Sequence, residues 1–283
     1  MATFYNQATL SYSGGIVNSN ITTAELVEVL TATKTAVVEE YSLNSQVTYA
    51  INIVNSGTTA FTGLSVTDNL GSYTFGSTVV QPMDYVAGSV KYFVNGVLQA
   101  TPTVSSTSPL TVTGINVPAG GNATVLYTVQ ANGFAPPAQG STIENTATVG
   151  GGGITPITVT ETITAASDPI LSINKSVCPA TVTENGQLTY TFVIQNIGNE
   201  EAVATDNVVV TDVFTPALSG VTVTYNGAPW ASPADYTYDE STGTFQTVAG
   251  AITVPAATYT QNPATGVWTV DPGVAVITVT GTV

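Results

Sequence analysis

The chain has no histidine and no arginine, and its 283 residues include three lysines and one cysteine. Without histidine, the Ser-His-Asp, Cys-His and His-metal constellations cannot be built, so any turnover chemistry would rest on carboxylates alone. Three basic against 18 acidic residues give a net charge of -15. Such a balance leaves no basic surface for phosphate backbones or anionic lipid, and excludes nucleic acid as a partner. The single cysteine, Cys178, rules out an internal disulfide framework, and a buried thiol is expected there. No stretch approaches the roughly 18 apolar residues of a membrane helix. The start lacks a basic head followed by an apolar core, so neither a signal peptide nor a membrane span is expected.

What the chain does have is Thr and Val in alternation, with 43% hydrophobic and 7% charged residues. This is strand composition. Short segments of period two are separated by Gly, Pro, Asn and Asp, and no helical periodicity is sustained. The length suits two domains, each able to bury a core.

Internal repetition organises the sequence. "LTATKTAVVEEYSLNSQVTYAINIVNSG" from Leu30 aligns without gaps to "LSINKSVCPATVTENGQLTYTFVIQNIG" from Leu171. The alignment pairs Lys34 with Lys175, Tyr49 with Tyr190, Asn55 with Asn196 and Gly57 with Gly198, all at 175 − 34 = 141. "LSVTDNL" then matches "VVVTDVF", which sets Asp68 opposite Asp212. The first repeat closes on "IENTATV", whereas the second stops at "VITVTGTV"; a segment like the closing one, "FYNQATL", lies instead at residues 4–10 and aligns Asn6 with Asn145. The expected architecture is all-β: two immunoglobulin-like β-sandwiches in circularly shifted register. Residues 1–29 form a donor strand and connector, 30–149 the first sandwich, 150–168 a connector, and 169–283 a second sandwich lacking its closing strand. Residues 11–29 and 150–168 are expected to be equivalent connectors.

"YAINIVNSG", "VTDNL", "VPAGGNATVLYTV" and "IENTATV" resemble the immunoglobulin-like conserved repeat of prokaryotic surface proteins, a domain of unknown function. The two-repeat layout resembles the endospore appendage proteins of clostridia. The resemblance implies a structural subunit of filaments on a cell or spore surface, with other copies of itself as partner, other spore-coat or surface proteins as further partners, and no cofactor.

Strand parity gives candidate site residues, because residues i and i+2 share a face. Lys34 lies in phase with Leu30, Ala32 and Ala36, and Lys175 with Leu171, Ile173 and Val177. Asp68 is in phase with Leu64 and Val66, and Asp212 with Val208 and Val210. Asn145 shares a face with Ile143 and Ala147, and Asn6 shares one with Phe4, Ala8 and Leu10, the four residues expected to touch the partner. Each repeat is therefore expected to bury a Lys, an Asp and an Asn, which must satisfy one another, since an unpaired buried charge is prohibitive. Two readings stand: a buried ion pair with a hydrogen-bonded Asn, or an isopeptide bond. In the second, a desolvated neutral lysine attacks the Asn carboxamide while a buried carboxyl shuttles protons. Gram-positive pilin domains resemble this arrangement, with Lys on the first strand and Asn on the last.

Other signals are weaker. Asn55 and Asn196 compete for the acceptor role, though their N-x-G context reads as a strand-ending turn. Lys91 has no repeat counterpart and is expected on the surface. Asp235, Asp239 and Glu240 near Trp230 suggest a glycan or calcium site or, more simply, a solvated acidic face. "GGGG" at 150–153 lacks the Lys-Ser/Thr of a phosphate loop and reads as a hinge. No metal site is assigned. A self-assembling filament subunit is the leading reading, and a surface adhesin or glycan-binding module the alternative.

Overall fold

A computed structural model describes residues 2–26 and 28–283; Met1 and Val27, within the expected N-terminal segment 1–29, lie outside the described residues. Its regular structure is almost all β-strand, in agreement with the all-β expectation. An N-terminal arm carries β1 (Ala2–Asn6), β2 (Thr9–Tyr12), β3 (Gly15–Asn18) and β4 (Thr22–Leu26). Sandwich 1 begins with β5 (Leu30–Ala36), β6 (Glu40–Tyr41), β7 (Gln46–Asn55), β8 (Phe61–Asp68), β9 (Tyr73–Phe75), β10 (Thr78–Val80) and β11 (Met83–Tyr85). It continues through β12 (Lys91–Val94), β13 (Val97–Leu98), β14 (Thr103–Thr107), β15 (Leu110–Val117), β16 (Asn122–Ala131), β17 (Thr142–Gly151) and β18 (Ile157–Ala165). Sandwich 2 holds β19 (Leu171–Cys178), β20 (Gln187–Asn196), β21 (Thr211–Val213), β22 (Ser219–Tyr225) and β23 (Ala228–Pro229). It ends with β24 (Tyr236–Asp239), β25 (Thr244–Thr247), β26 (Thr258–Gln261), β27 (Trp268–Asp271) and β28 (Gly273–Thr282).

In sandwich 1 one sheet runs β13-β12-β16-β7-β5 and the facing sheet β14-β15-β8-β17-β18-β6. Alternation creates the core between them. Tyr49, Ile51 and Ile53 of β7 and Val125, Tyr127 and Val129 of β16 are buried against Leu64, Val66, Val112, Ala147 and Val149 of the other sheet. The segment 150–168, expected as a connector, contains β18, which pairs with β17 from Thr142↔Thr164 to Val149↔Ile157 and buries Ile163 and Ala165. Its Thr-rich sequence read as linker, yet its alternation gives it an inward face.

Sandwich 2 reproduces only part of this plan. The sheet β19-β20-β28-β22-β23 matches its counterpart, but the facing sheet is reduced to β21-β25-β24. In sandwich 1, β8 is flanked by β15 and β17; here β21 pairs with β25 alone. Among the described residues no strand of this chain stands where β17 and β18 stand in sandwich 1. As a result β19 is exposed along its whole length, including Leu171, Ile173 and Val177.

The arm is a hairpin, not a single donor strand with a connector. β1 pairs with β4 and β2 with β3, so residues 15–26 return antiparallel along residues 2–12. A one-residue slip separates the Asn6↔Thr22 register from Thr9↔Asn18, with the extra residue on the return strand, between Asn18 and Thr22. Phe4, Tyr5, Leu10, Tyr12, Ile16 and Val17 are all exposed.

Candidate functional site

In sandwich 1 the three expected residues converge. Lys34, on β5, is held by pairing with Ile51 of β7, and its side chain is fully enclosed. Its Nζ donates to Asp68 Oδ2 at 2.7 Å and to the backbone carbonyl of Asn145 at 2.8 Å. Asp68, at the end of β8, also accepts from the Leu70 N–H at 2.8 Å and from the Tyr127 hydroxyl. The side-chain Oδ1 of Asn145 accepts from the Gly71 N–H at 3.1 Å, while Nδ2 has no partner. A left-handed backbone at Leu70 and Gly71 turns this amide toward the core, and a Cβ at Gly71 would meet the Ile143 methyl at 2.4 Å.

The electrostatics favour a reactive amine. Burial drives the Lys34 ammonium from its ordinary 10.5 down to about 8, partly offset by the Asp68 carboxylate. Burial likewise raises Tyr127 well above its ordinary range, so it stays a proton donor to Asp68. The Asn145 carboxamide is thus held through its oxygen by a backbone N–H, while its buried nitrogen has no hydrogen-bond partner. Strand parity identified Lys34, Asp68 and Asn145. It missed Tyr127 and Gly71, although the repeat alignment carries a signal for the first: Tyr127 pairs with Tyr49 where Val279 pairs with Tyr190.

Sandwich 2 holds two of its three expected residues. Lys175 forms an ion pair with Asp212, and its Nζ lies 4.6 Å from the Tyr190 ring, as Lys34 lies 4.6 Å from Tyr49. The expected burial is not found in the single chain: the Lys175 side chain is 38% exposed and that of Asp212 19%, because nothing covers their face. Asn6 is exposed on the arm, away from both. Of the competing acceptors, Asn55 donates to the Thr59 and Pro118 carbonyls and accepts from Gly57 N–H. Asn196 donates to Glu200 and accepts from Ile170 and Gly198. Both are turn-forming groups whose amide oxygen and nitrogen each have a partner.

The remaining expectations resolve simply. Lys91 is exposed. Cys178 is exposed rather than buried, because its parity sets it opposite Lys175 and Val177, on the outer face of an edge strand. Asp239 caps its own turn through Ser241. Among the described residues no three His, Cys, Asp or Glu side chains group as metal ligands.

The arm repeats the closing pair of sandwich 1. Asn145 sits opposite Glu161 and Thr142 opposite Thr164; Asn6 sits opposite Thr22 and Thr3 opposite Glu25. All four arm positions lie 139 residues before their counterparts, so Asn6 has the place on its hairpin that Asn145 has in sandwich 1.

Neither a protein-family model nor a curated protein matches the sequence. Similar solved structures include the pilus backbone protein RrgB of Streptococcus pneumoniae, at 10% identity and a TM-score of 0.35, over 86% of this chain and 55% of that one. The major pilin BcpA of Bacillus cereus is similar at 13% identity and a TM-score of 0.35, over 95% of this chain and 73% of that one. The collagen-binding domain of a Staphylococcus aureus adhesin is similar at 11% identity and a TM-score of 0.31, over 50% of this chain and 99% of that one. This chain thus spans little more than half the length of the pilus backbone protein, and similarity at this level carries no functional argument.

Proposed function

We propose that this chain is the structural subunit of a self-assembling filament on a cell or spore surface, joined head to tail by donation of the N-terminal hairpin. The arm of one subunit fills the open side of sandwich 2 in the next, with β1 beside β21 as β17 lies beside β8, in the manner of donor-strand complementation. The observation that carries this reading is the identity of register between β1-β4 and β17-β18, on an arm that exposes Phe4, Leu10, Ile16 and Val17. An open sheet edge and an exposed apolar face are liabilities that assembly removes.

The same equivalence brings Asn6 to Lys175 and Asp212. The neutral lysine nitrogen attacks the Asn Cγ and gives up one proton to the Asp carboxylate. The carboxyl delivers one to the departing nitrogen, so one amide forms and one ammonia is released, at Lys34–Asn145 within a subunit and at Lys175–Asn6 between subunits. Burying Phe4 and Leu10 contributes roughly 1.5 to 3 kcal/mol each, against an association cost of about 4 to 15. A covalent joint removes that dependence on concentration.

Negative-stain microscopy tests the assembly. The full chain is expected to form fibres, and a chain lacking residues 2–26 to give none. Ordered fibres from the shortened chain would overturn hairpin donation.

A further inference from the structure

Two of the insertions that distinguish the repeats meet at one place. Asp68 and Asn95 are 27 residues apart, while their counterparts Asp212 and Asn226 are 14 apart; the extra residues of sandwich 1 build the β9-β10 hairpin. Val117 and Ala123 are six residues apart, whereas Val254 and Ala275 are 21 apart; the extra residues of sandwich 2 build the β26-β27 hairpin. Each hairpin exists in one repeat only. They dock on each other across the seam inside the chain.

The contacts are specific. Gln261 Nε2 donates to the Tyr73 hydroxyl at 2.9 Å, and Trp268 N–H donates to the Gly133 carbonyl at 2.9 Å. Gly266, with φ of +75°, lies so close to the β9-β10 hairpin that a Cβ there would stand 3.1 Å from Phe75 and 3.3 Å from Val80. Beside this contact the seam holds an apolar cleft of about 470 Å³, lined by Tyr41, Pro137, Ile170, Tyr259 and Trp268. The sandwiches are therefore not fused by a continuous core, and the docked hairpins form a brace between them.

We infer that β26-β27 and β9-β10 form a lock that stiffens the junction inside each subunit and has no counterpart at the junction between subunits. Resting on the filament reading above, a fibre would alternate stiff and compliant joints. It would not repeat one junction, as the expected equivalence of residues 11–29 and 150–168 implies. Domains joined by small contacts move relative to one another by default, and at the outer junction neither half of the brace is present.

Double electron–electron resonance on the full chain tests this, with Cys178→Ser and spin labels at Thr101→Cys and Thr237→Cys, diluted into unlabelled chain. The intrachain distance distribution is expected to be narrow. It should broaden about twofold or more when residues 258–271 are replaced by Gly-Gly, or when Gly266→Glu drives a side chain into Phe75. A mixture of chains labelled singly at Thr237 and at Thr101 reads the outer junction and should give the broad distribution. Brace variants as narrow as the parent, or an outer junction as narrow as the inner, would overturn the inference. Absence of any interchain distance would sink the filament reading, while the intrachain widths still decide the brace.

Discussion

Sandwich 1 and sandwich 2 carry the same lysine and aspartate at the same positions, each lysine over an equivalent tyrosine, yet one pair is sealed and the other open to solvent. The difference lies in the covering strands. β17 and β18 supply Asn145 and enclose Lys34, whose pKa burial depresses; sandwich 2 has the lysine and the aspartate without a covering strand. In the proposed assembly, reactivity belongs to the closed sandwich rather than to the lysine, and the joint stays inert until a second copy arrives.

Substitutions at equivalent positions sharpen the contrast. Lys34→Ala should destabilise sandwich 1 by about 3 to 5 kcal/mol, since it leaves Asp68 buried without its cation. Lys175→Ala in the unassembled chain should cost no more than about 1 kcal/mol, the scale of a solvent-exposed pair. Differential scanning calorimetry separates the two, and equal losses would break the comparison. In the same measurement Ile143→Ala, which opens a cavity, should cost about 2 to 5 kcal/mol. Its hairpin counterpart Phe4→Ala should leave the unassembled chain unchanged while weakening fibres.

Tyr127→Phe removes a buried donor from Asp68 and should cost about 1 to 3 kcal/mol. Val279→Tyr, the reciprocal change, has no closed site to serve and should not stabilise the lone chain. A pH dependence is read in an Asn145→Ala chain that cannot form the bond. Lys34 titrates near 8 folded and at 10.5 unfolded, so between these values the unfolded chain binds more protons. Stability should therefore rise with pH across that window, by at most about 1.4 kcal/mol per pH unit. In the parent chain, bond formation should accelerate as pH rises toward 8, where the amine becomes neutral.

Lys34, Asp68 and Asn145 were legible in the sequence because buried strands alternate strictly, and a charge in phase with Leu, Ile and Val must have a partner. The repeat offset also exposed the missing partner of β21. The return strands β3 and β4 were not legible: "GGIVNSNITTA" is short and solvent-facing in the single chain, so no core imposes a pattern on it. Tyr127 was not legible as a site residue, because only the folded register brings its hydroxyl to Asp68. The brace was invisible for a different reason, since each half is an insertion without a counterpart, and repeat alignment discards what does not align.

The covalent joint between subunits is the central claim, and mass spectrometry of fibres boiled in detergent tests it most directly. The account predicts a ladder of multimers, each lighter than the sum of its chains by one ammonia per Lys34–Asn145 and per Lys175–Asn6 bond, and collapse of the ladder to monomer in Lys175→Ala or Asn6→Ala. Fibres of the unaltered chain that dissolve to monomers of unmodified mass would contradict it.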